Sequence, residues 1–359
     1  MHENELALIR DKIDVLDKNI CDLIDERAQL AIEVSKIKAQ HVDHVDYYRP
    51  EREALILRRI MDTYQGVLNK EDIAHIFQEI MRVCLALQQQ QKIAFLGPIG
   101  TFSHLCVLKH FGKNIEIKPC QTLEEVFASV EQGDAYYGVV PFENSSSGVV
   151  TPTLDLLINS NLQICGEHLL PVHQHLLRHR DDEAPITRIY SHPHSFEQCK
   201  AWLNKHLPHA DRIAVKSNAE AAQLAQAEQG VAAIAGDLAA ELYHLNKVHE
   251  NIEGQTQNTT RFIVIGKQKI RPSGKDKTTL MFATPHTPGA LIKLMLPFHL
   301  HHINLTSIAS RPSGQKWSYL FFIDIEGHQE DEAVKLALAE LQKNPVLVNI
   351  LGSYPAAVL

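Results

Sequence analysis

The run Gln88-Gln89-Gln90-Gln91-Lys92-Ile93-Ala94-Phe95-Leu96-Gly97-Pro98-Ile99-Gly100-Thr101 separates two kinds of sequence within one chain. Upstream of it, residues 1–91 hold only Gly66 and Pro50, although the 359-residue chain carries 17 glycines and 16 prolines. Average usage would place about six glycines and four or five prolines in a stretch of that length. The first quarter therefore reads as uninterrupted helix. Downstream, Lys92-Ile93-Ala94-Phe95-Leu96 reads as a buried strand entering a Gly-x-x-Gly turn and a helix, and this alternation then continues.

Composition excludes several classes. Lys+Arg minus Asp+Glu is 35 − 43 = −8, which argues against a general nucleic-acid binder. No run approaches the ~18 apolar residues of a membrane span, and the acidic Met1-His2-Glu3-Asn4-Glu5 start is unlike a signal core. The six cysteines form no Cys-x-x-Cys pair and lie in apolar segments, as reduced thiols of a cytoplasmic protein do. His173-Gln174-His175 and His299-Leu300-His301-His302 lack metal-site spacing, so no metal is expected.

In the first quarter apolar residues recur at 6, 9, 13, 16, 20, 23, 30, 34 and 37, the seam of a long helix packed on another helix. A helix from about Glu5 to Ala39 would span about 50 Å, whereas a compact domain of this size has a radius of gyration of about 12 Å, so pairing of two chains is expected. Pro50 suits the first turn of a second helix, and Asn69 with Asp72 resembles a capping box opening a third. Arg27 falls on a seam position, Lys38 shares its face, Arg10 flanks Ile9 and Gln88 ends the third stripe. A paired core arginine would explain Arg27 alone. Several cations gathered where apolar residues belong point instead to a buried di-acid.

These segments, Leu6 to Asp14, Asp25-Glu26-Arg27, Glu33 to Lys38 and Arg49-Pro50-Glu51-Arg52-Glu53, resemble the all-helical chorismate mutase domain. The resemblance implies catalytic roles for Arg10 (donated by a partner chain), Arg27, Lys38, Glu51 and Gln88, with Arg49, Arg52 and Cys84 as substrate contacts. A family variant has aspartate where Tyr47 stands and serine where Cys84 stands.

Further along, Phe95-Leu96-Gly97-Pro98, Gly100-Thr101 and Ser103, then Pro141-Phe142-Glu143-Asn144-Ser145, Tyr190-Ser191-His192-Pro193 and Asn258-Thr259-Thr260-Arg261-Phe262 together resemble prephenate dehydratase. That family folds as two α/β lobes like periplasmic binding proteins. It implies Thr260 as the catalytic residue, with Thr101, Ser103, Glu143, Asn144, Ser191, Gln198 and Arg261 around the substrate. The first glycine turn lacks Gly-x-Gly-x-x-Gly, which disfavours a nucleotide cofactor and hence a mutase–dehydrogenase fusion; no cofactor is expected.

Past residue 277 the pattern is strand 278–283, helix 288–298, strands 303–310 and 317–325, helix 330–342 and strand 346–351, a ferredoxin-like βαββαβ order. Thr287-Pro288-Gly289-Ala290-Leu291 and Asn304 to Pro312 resemble the regulatory ACT domain, with Ala309 where the family usually has glutamate. The resemblance implies L-phenylalanine bound between two chains at Gly289, Ala290, Leu291, Asn304, Leu305, Ser310, Arg311 and Pro312. The expected fold is thus multidomain. Residues 1–91 form the helical mutase domain, 92–267 the α/β dehydratase domain, 268–277 a linker and 278–359 the α+β ACT domain. The expected function is chorismate to prephenate to phenylpyruvate, feedback-inhibited by L-phenylalanine, in a cytoplasmic homodimer or higher homo-oligomer with no nucleic-acid or membrane partner. A non-catalytic amino-acid sensor is the rival, and it leaves Arg10, Arg27 and Lys38 unexplained.

Overall fold

The computed structural model describes residues 2–40, 46–254, 258–284, 287–312, 319–342 and 347–358. The chain divides into two compact units, one of residues 1–91 with 111–116 and 358–359, the other of residues 92–110 and 117–357.

The first unit is built on helices α1 (His2–Ala39), α2 (Pro50–Thr63) and α3 (Lys70–Gln88). Pro50 sits at the start of α2, where its missing N–H costs no intrahelical bond. Asn69 is the N-cap of α3 but its side chain makes no capping hydrogen bond, so the expected capping box does not form. α3 packs on both α1 and α2. The first two-thirds of α1 are exposed through residue 26, and the seam residues Leu6, Ile9, Ile13, Leu16, Ile20 and Leu23 are bare.

The second unit begins with β1 (Lys92–Leu96), α4 (Phe102–Phe111), β2 (Glu116–Cys120), α5 (Leu123–Gln132), β3 (Tyr137–Asn144), β4 (Gly148–Val149), α6 (Thr151–Asn159) and β5 (Gln163–Pro171). The chain then forms β6 (His175–His179), β7 (Arg188–Ser191), α7 (Pro193–His206), β8 (Asp211–Ala214), α8 (Asn218–Ala227), β9 (Val231–Ala235), α9 (Asp237–Leu242) and β10 (Leu245–His249), and returns along β11 (Thr259–Gly266). One sheet runs β2-β1-β3-β11-β5 with β4 on β3, and the other runs β10-β6-β9-β7-β8. The backbone therefore crosses between two α/β lobes twice, after β5 and after β10. Buried apolar residues on β9, Val231 to Ala235, form the heart of the second lobe.

The last elements are β12 (Asp276–Thr284), α10 (Ala290–Leu300), β13 (Leu305–Pro312), β14 (Tyr319–Glu326), α11 (Glu332–Gln342) and β15 (Leu347–Pro355). Their sheet is antiparallel in the order β13-β14-β12-β15, the split βαββαβ arrangement. The expected strand starts at 317, 318 and 346 lie outside the described residues. Alternation along β12 decides what each sheet face meets. Leu280 and Phe282 pack with Leu294, Phe298, Val334 and Leu341 of the two helices. Met281 faces the other way, joining Phe322, Leu351 and Tyr354 in one core with Ala94, Val140, Leu154 and Ile263 of the first lobe. The segment before β12, read as a linker, is itself packed, with Gln268, Ile270 and Ser273 buried.

Candidate active sites

In the helical unit a cavity of about 320 Å³ is lined by Arg27, Lys38, Arg49, Arg52, Cys84 and Gln88, together with Tyr47, Tyr48, Glu53 and apolar residues of all three helices. Both arginines proposed for the second helix reach it. The Lys38 ammonium lies 5.6 Å from the centre of the Tyr47 ring. Burial first, and the neighbouring Arg49 charge second, hold its pKa below the usual lysine value.

Two expected residues are placed differently. Glu51 is buried but does not line the cavity; one of its oxygens accepts from Arg49 at 3.2 Å, and among the described residues Oε2 has no hydrogen-bond partner. The carboxylate on the wall is Glu53, which accepts from Gln78 at 3.0 Å and whose pKa burial raises. Arg10 is exposed on α1, about 26 Å along the helix from Arg27 at 1.5 Å per residue. Within one chain it stands apart from the cavity.

A second cavity, about 260 Å³, lies where the two lobes face each other. Thr101, Ser103, Asn144, Gln198 and Thr260 line it, as the motifs led one to expect. So do Gln174, His192, His194, Ser195, Lys216, Ser217, Asn218 and Phe262, which were not singled out. The N-termini of α4, α7 and α8 all open on this space through Thr101 to Ser103, His192 to Ser195, and Ser217 with Asn218. Helix N-termini present unpaired N–H groups and positive potential to an anion.

The Asn144 amide is fixed in one sense. Its Oδ1 accepts from Ser146 N, Ser146 Oγ, Ser147 N and Ser147 Oγ at 2.6 to 3.1 Å. The amide nitrogen is thereby turned to donate to Thr260 Oγ1 at 2.9 Å and Asn258 Oδ1 at 2.8 Å. An oxygen that accepts from an amide leaves its own O–H free to donate, and the hydrogen bond polarises that O–H. Ser191 is buried beneath the floor, donating to Asn218 Oδ1 and Ile234 O at 3.2 Å each. Gln198 bridges Gln174 at 3.2 Å and His194 at 2.9 Å. Burial, with His194 adding to it, holds the His192 pKa below the ordinary imidazole range.

Arg261 and Glu143 correct the expected substrate shell. They pair across β11 and β3 while Thr260 pairs with Asn144. Thr260 and Asn144 line the cleft, whereas Arg261 turns to the back of the sheet. There its guanidinium, stacked over Phe142, donates to Glu167 at 2.8 Å, Asp324 at 2.5 Å and Tyr354 at 2.7 Å, and Glu143 lies 3.9 Å away. Lys277 also donates to Glu167. The period-two alternation of a strand, applied to Thr260, was the signal that could have placed both residues.

In the C-terminal sheet module, Gly289 caps α10 with φ 77° and leads into Ala290 and Leu291. Asn304 donates to Glu326 at 3.1 Å, and Leu305 opens β13. Ser310, Arg311 and Pro312 end it, and Arg311 forms a forked pair with Asp155 on α6 at 2.5 to 3.0 Å.

A cation-lined helical cavity and a cleft with a polarised hydroxyl among helix N-termini define an enzyme with two sites for small organic anions. Comparison with known proteins narrows the class. The chorismate mutase type II family model matches residues 9–89, and the prephenate dehydratase model matches 93–270. The bifunctional chorismate mutase/prephenate dehydratase of Stutzerimonas stutzeri is 46% identical over 99% of both chains. Among solved structures, the prephenate dehydratase of Arthrobacter aurescens in complex with L-Phe is 33% identical at a TM-score of 0.67, covering 74% of this chain and 90% of that one. GqqA, a novel type of quorum quenching acylase, is 30% identical at the same TM-score of 0.67 over 74% of this chain and 98% of its own. The chain belongs to the bifunctional chorismate mutase/prephenate dehydratase family and carries both activities, in phenylalanine biosynthesis. Because related folds carry different chemistry, residue roles must come from the sites themselves.

Proposed function

We propose that chorismate is rearranged in the helical cavity and that the resulting prephenate loses carbon dioxide and water in the cleft between the lobes. The rearrangement is pericyclic and transfers no proton. Arg27, with Arg49 or Arg52, holds the two carboxylates in the reactive geometry, and Lys38 and Gln88 donate to the ether oxygen as its C–O bond breaks. Cys84 completes the pocket, Glu51 holds the Arg49 guanidinium by accepting its hydrogen bond, and Arg10 arrives from a second chain paired along the bare seam of α1.

In the cleft, the bond from the ring to its carboxylate breaks and its electron pair completes the aromatic ring. The ring C–O bond breaks in the same process, and the departing hydroxide takes a proton and leaves as water. Thr260 is the donor to that oxygen, with Thr101, Ser103, Gln198 and the buried Ser191 shaping the site. The observation that carries this reading is the Asn144 amide, oriented by four donors, donating to Thr260 Oγ1 at 2.9 Å.

Residues 278–359 act as an ACT domain after the segment 268–277, with 1–91 and 92–267 as the catalytic domains. L-phenylalanine binds near Gly289, Ala290, Leu291, Asn304, Leu305, Ser310, Arg311 and Pro312 at a two-chain interface and feeds back on the cleft. The L-Phe complex of the Arthrobacter relative supports this. The six free cysteines suit the cytoplasm, and no described helix is long and apolar enough to cross a membrane.

The test is to supply chorismate without nucleotide and follow the products by chromatography. The wild-type chain forms phenylpyruvate, whereas Thr260→Val consumes chorismate normally and accumulates prephenate. A Thr260→Val chain that still made phenylpyruvate at the wild-type rate would reduce Thr260 to a structural residue.

A further inference from the structure

Prephenate carries two carboxylates, and the two have different fates. The ring carboxylate leaves as carbon dioxide, whereas the 2-oxo acid carboxylate stays with the product. Arg261, the cation next to Thr260 in sequence, is committed to Glu167, Asp324 and Tyr354 on the back of the sheet. Among the described residues that line the cleft, Lys216 is the one lysine or arginine. It lies on the second lobe in the turn between β8 and α8, directly before Ser217, the N-cap of α8.

Its surroundings leave the ammonium free for a ligand. The Lys216 backbone N–H donates to Glu220 at 2.9 Å, but among the described residues no carboxylate lies within ion-pair distance of its side chain. The N-termini of α7 and α8, on the same lobe, add positive potential of the same sign. The opposite wall, on the first lobe, is apolar where Leu96, Phe102 and Phe262 line it.

The chemistry decides which carboxylate the cation should hold. As the ring carboxylate departs, its negative charge flows into the ring and out with the leaving hydroxyl. A cation paired with it would bind the ground state more tightly than the transition state and slow the reaction. The 2-oxo acid carboxylate keeps its charge from substrate through transition state to product, so a cation there adds binding at no cost in rate. Resting on the reading of this cleft as the dehydratase site, we propose that Lys216 is its specificity-determining cation. It pairs with the retained 2-oxo acid carboxylate and leaves the departing carboxylate against the uncharged wall.

The test uses the full chain with prephenate supplied directly. Lys216→Met raises KM for prephenate by about tenfold or more, the scale of one lost charge-assisted hydrogen bond, and leaves kcat within about twofold. Phenylpyruvate shares the retained carboxylate, so its product-inhibition constant rises by the same factor. Lys216→Arg restores most of both, and chorismate turnover is unaffected. Unchanged KM and inhibition constants in Lys216→Met would overturn the assignment, as would a fall in kcat that leaves phenylpyruvate binding untouched. Thr260→Val, run alongside, keeps the two readings apart. If it is inactive while Lys216→Met behaves as wild type, only the lysine assignment fails. If Thr260→Val is active but Lys216→Met shows the shifts in KM and product inhibition, only the role of Thr260 fails; if both variants behave as wild type, the cleft reading and the lysine assignment fail together.

Discussion

Side chains on β11 leave alternate faces of its sheet, so Thr260 and Phe262 look into the cleft while Arg261 looks out of the back. Behind the sheet Arg261 meets two buried carboxylates and the Tyr354 hydroxyl, and Thr279 donates to Asp324 at 2.6 Å. Burial alone would lower the arginine pKa, but the surrounding Tyr354, Asp324 and Glu167 raise it on balance. Burial likewise pushes the Glu167 carboxyl up, and Arg261 with Lys277 overcomes that and holds it below the ordinary carboxyl value. Removing one partner of such a cluster strands the others, at a cost of about 3–5 kcal/mol. Arg261→Ala should therefore lower the unfolding free energy of the second unit by that amount, read as a fall in its denaturant midpoint at unchanged m, while leaving chorismate turnover intact. The Glu167 share has a definite sign. Its folded-state pKa is depressed, so the contribution is complete above the ordinary glutamate range and is lost as pH falls through the folded value. Were Arg261→Ala to unfold at the wild-type midpoint and change only KM for prephenate, the residue would belong to the cleft after all. The motif around Thr260 was legible in the sequence, but it names residues without saying which face each takes. Lys216 had no motif to announce it, because its role depends on where a lobe-two turn comes to rest.

Among the elements, β15 shows why some boundaries were missed. The expected strand ends at 351. The strand instead continues to Pro355 and brings Tyr354 into the ion cluster. Glycine inside a strand marks a close backbone approach, and here the approach is to β5. A Cβ at Gly352 would stand 2.3 Å from the Ile164 carbonyl oxygen and 2.8 Å from its nitrogen, both backbone atoms that cannot rotate away. Gly352→Ala is expected to cost about 3 kcal/mol, at the upper end for overpacking. It should also speed amide exchange in β5 and β15 while α11 stays protected. Unaltered exchange in β5 would mean that the two strands tolerate separation. β5 is hard to read from local sequence for a related reason. Gly166, Glu167 and His168 break the apolar pattern of β5 because Glu167 is there to meet Arg261, a partner remote in sequence. The long seam of α1 and the strand–turn–helix at residue 97 were legible because their signals are local and periodic.

Across the whole molecule, the reading that places feedback in the C-terminal sheet module needs a physical route to the cleft, and the second unit contains a short one. Arg311 closes the Ser310-Arg311-Pro312 segment and grips Asp155 on α6. Helix α6 follows β4, and β4 follows the Asn144 to Ser147 loop whose donors aim the Asn144 amide at Thr260. An effector that binds one arrangement of Arg311 better than another would shift α6 and, through that loop, the hydrogen bond that polarises Thr260. A tenfold effect needs only about 1.4 kcal/mol of such differential binding. L-phenylalanine is therefore expected to reduce dehydratase kcat/KM while leaving the rearrangement of chorismate unaffected at the same concentration. Asp155 is partly exposed, so Asp155→Asn removes the charge without stranding a buried group. In that variant basal dehydratase activity should stay within about twofold of wild type, while the inhibition by saturating L-phenylalanine shrinks severalfold. Linkage supplies an internal check, because coupling between two ligands is reciprocal. The factor by which phenylpyruvate alters L-phenylalanine affinity, measured by titration calorimetry, must equal the factor by which L-phenylalanine alters phenylpyruvate affinity. Both factors should move toward one together in Asp155→Asn. If both keep their wild-type value, the Arg311–Asp155 pair only docks the module, and the signal must pass through the Arg261 cluster behind Thr260 instead.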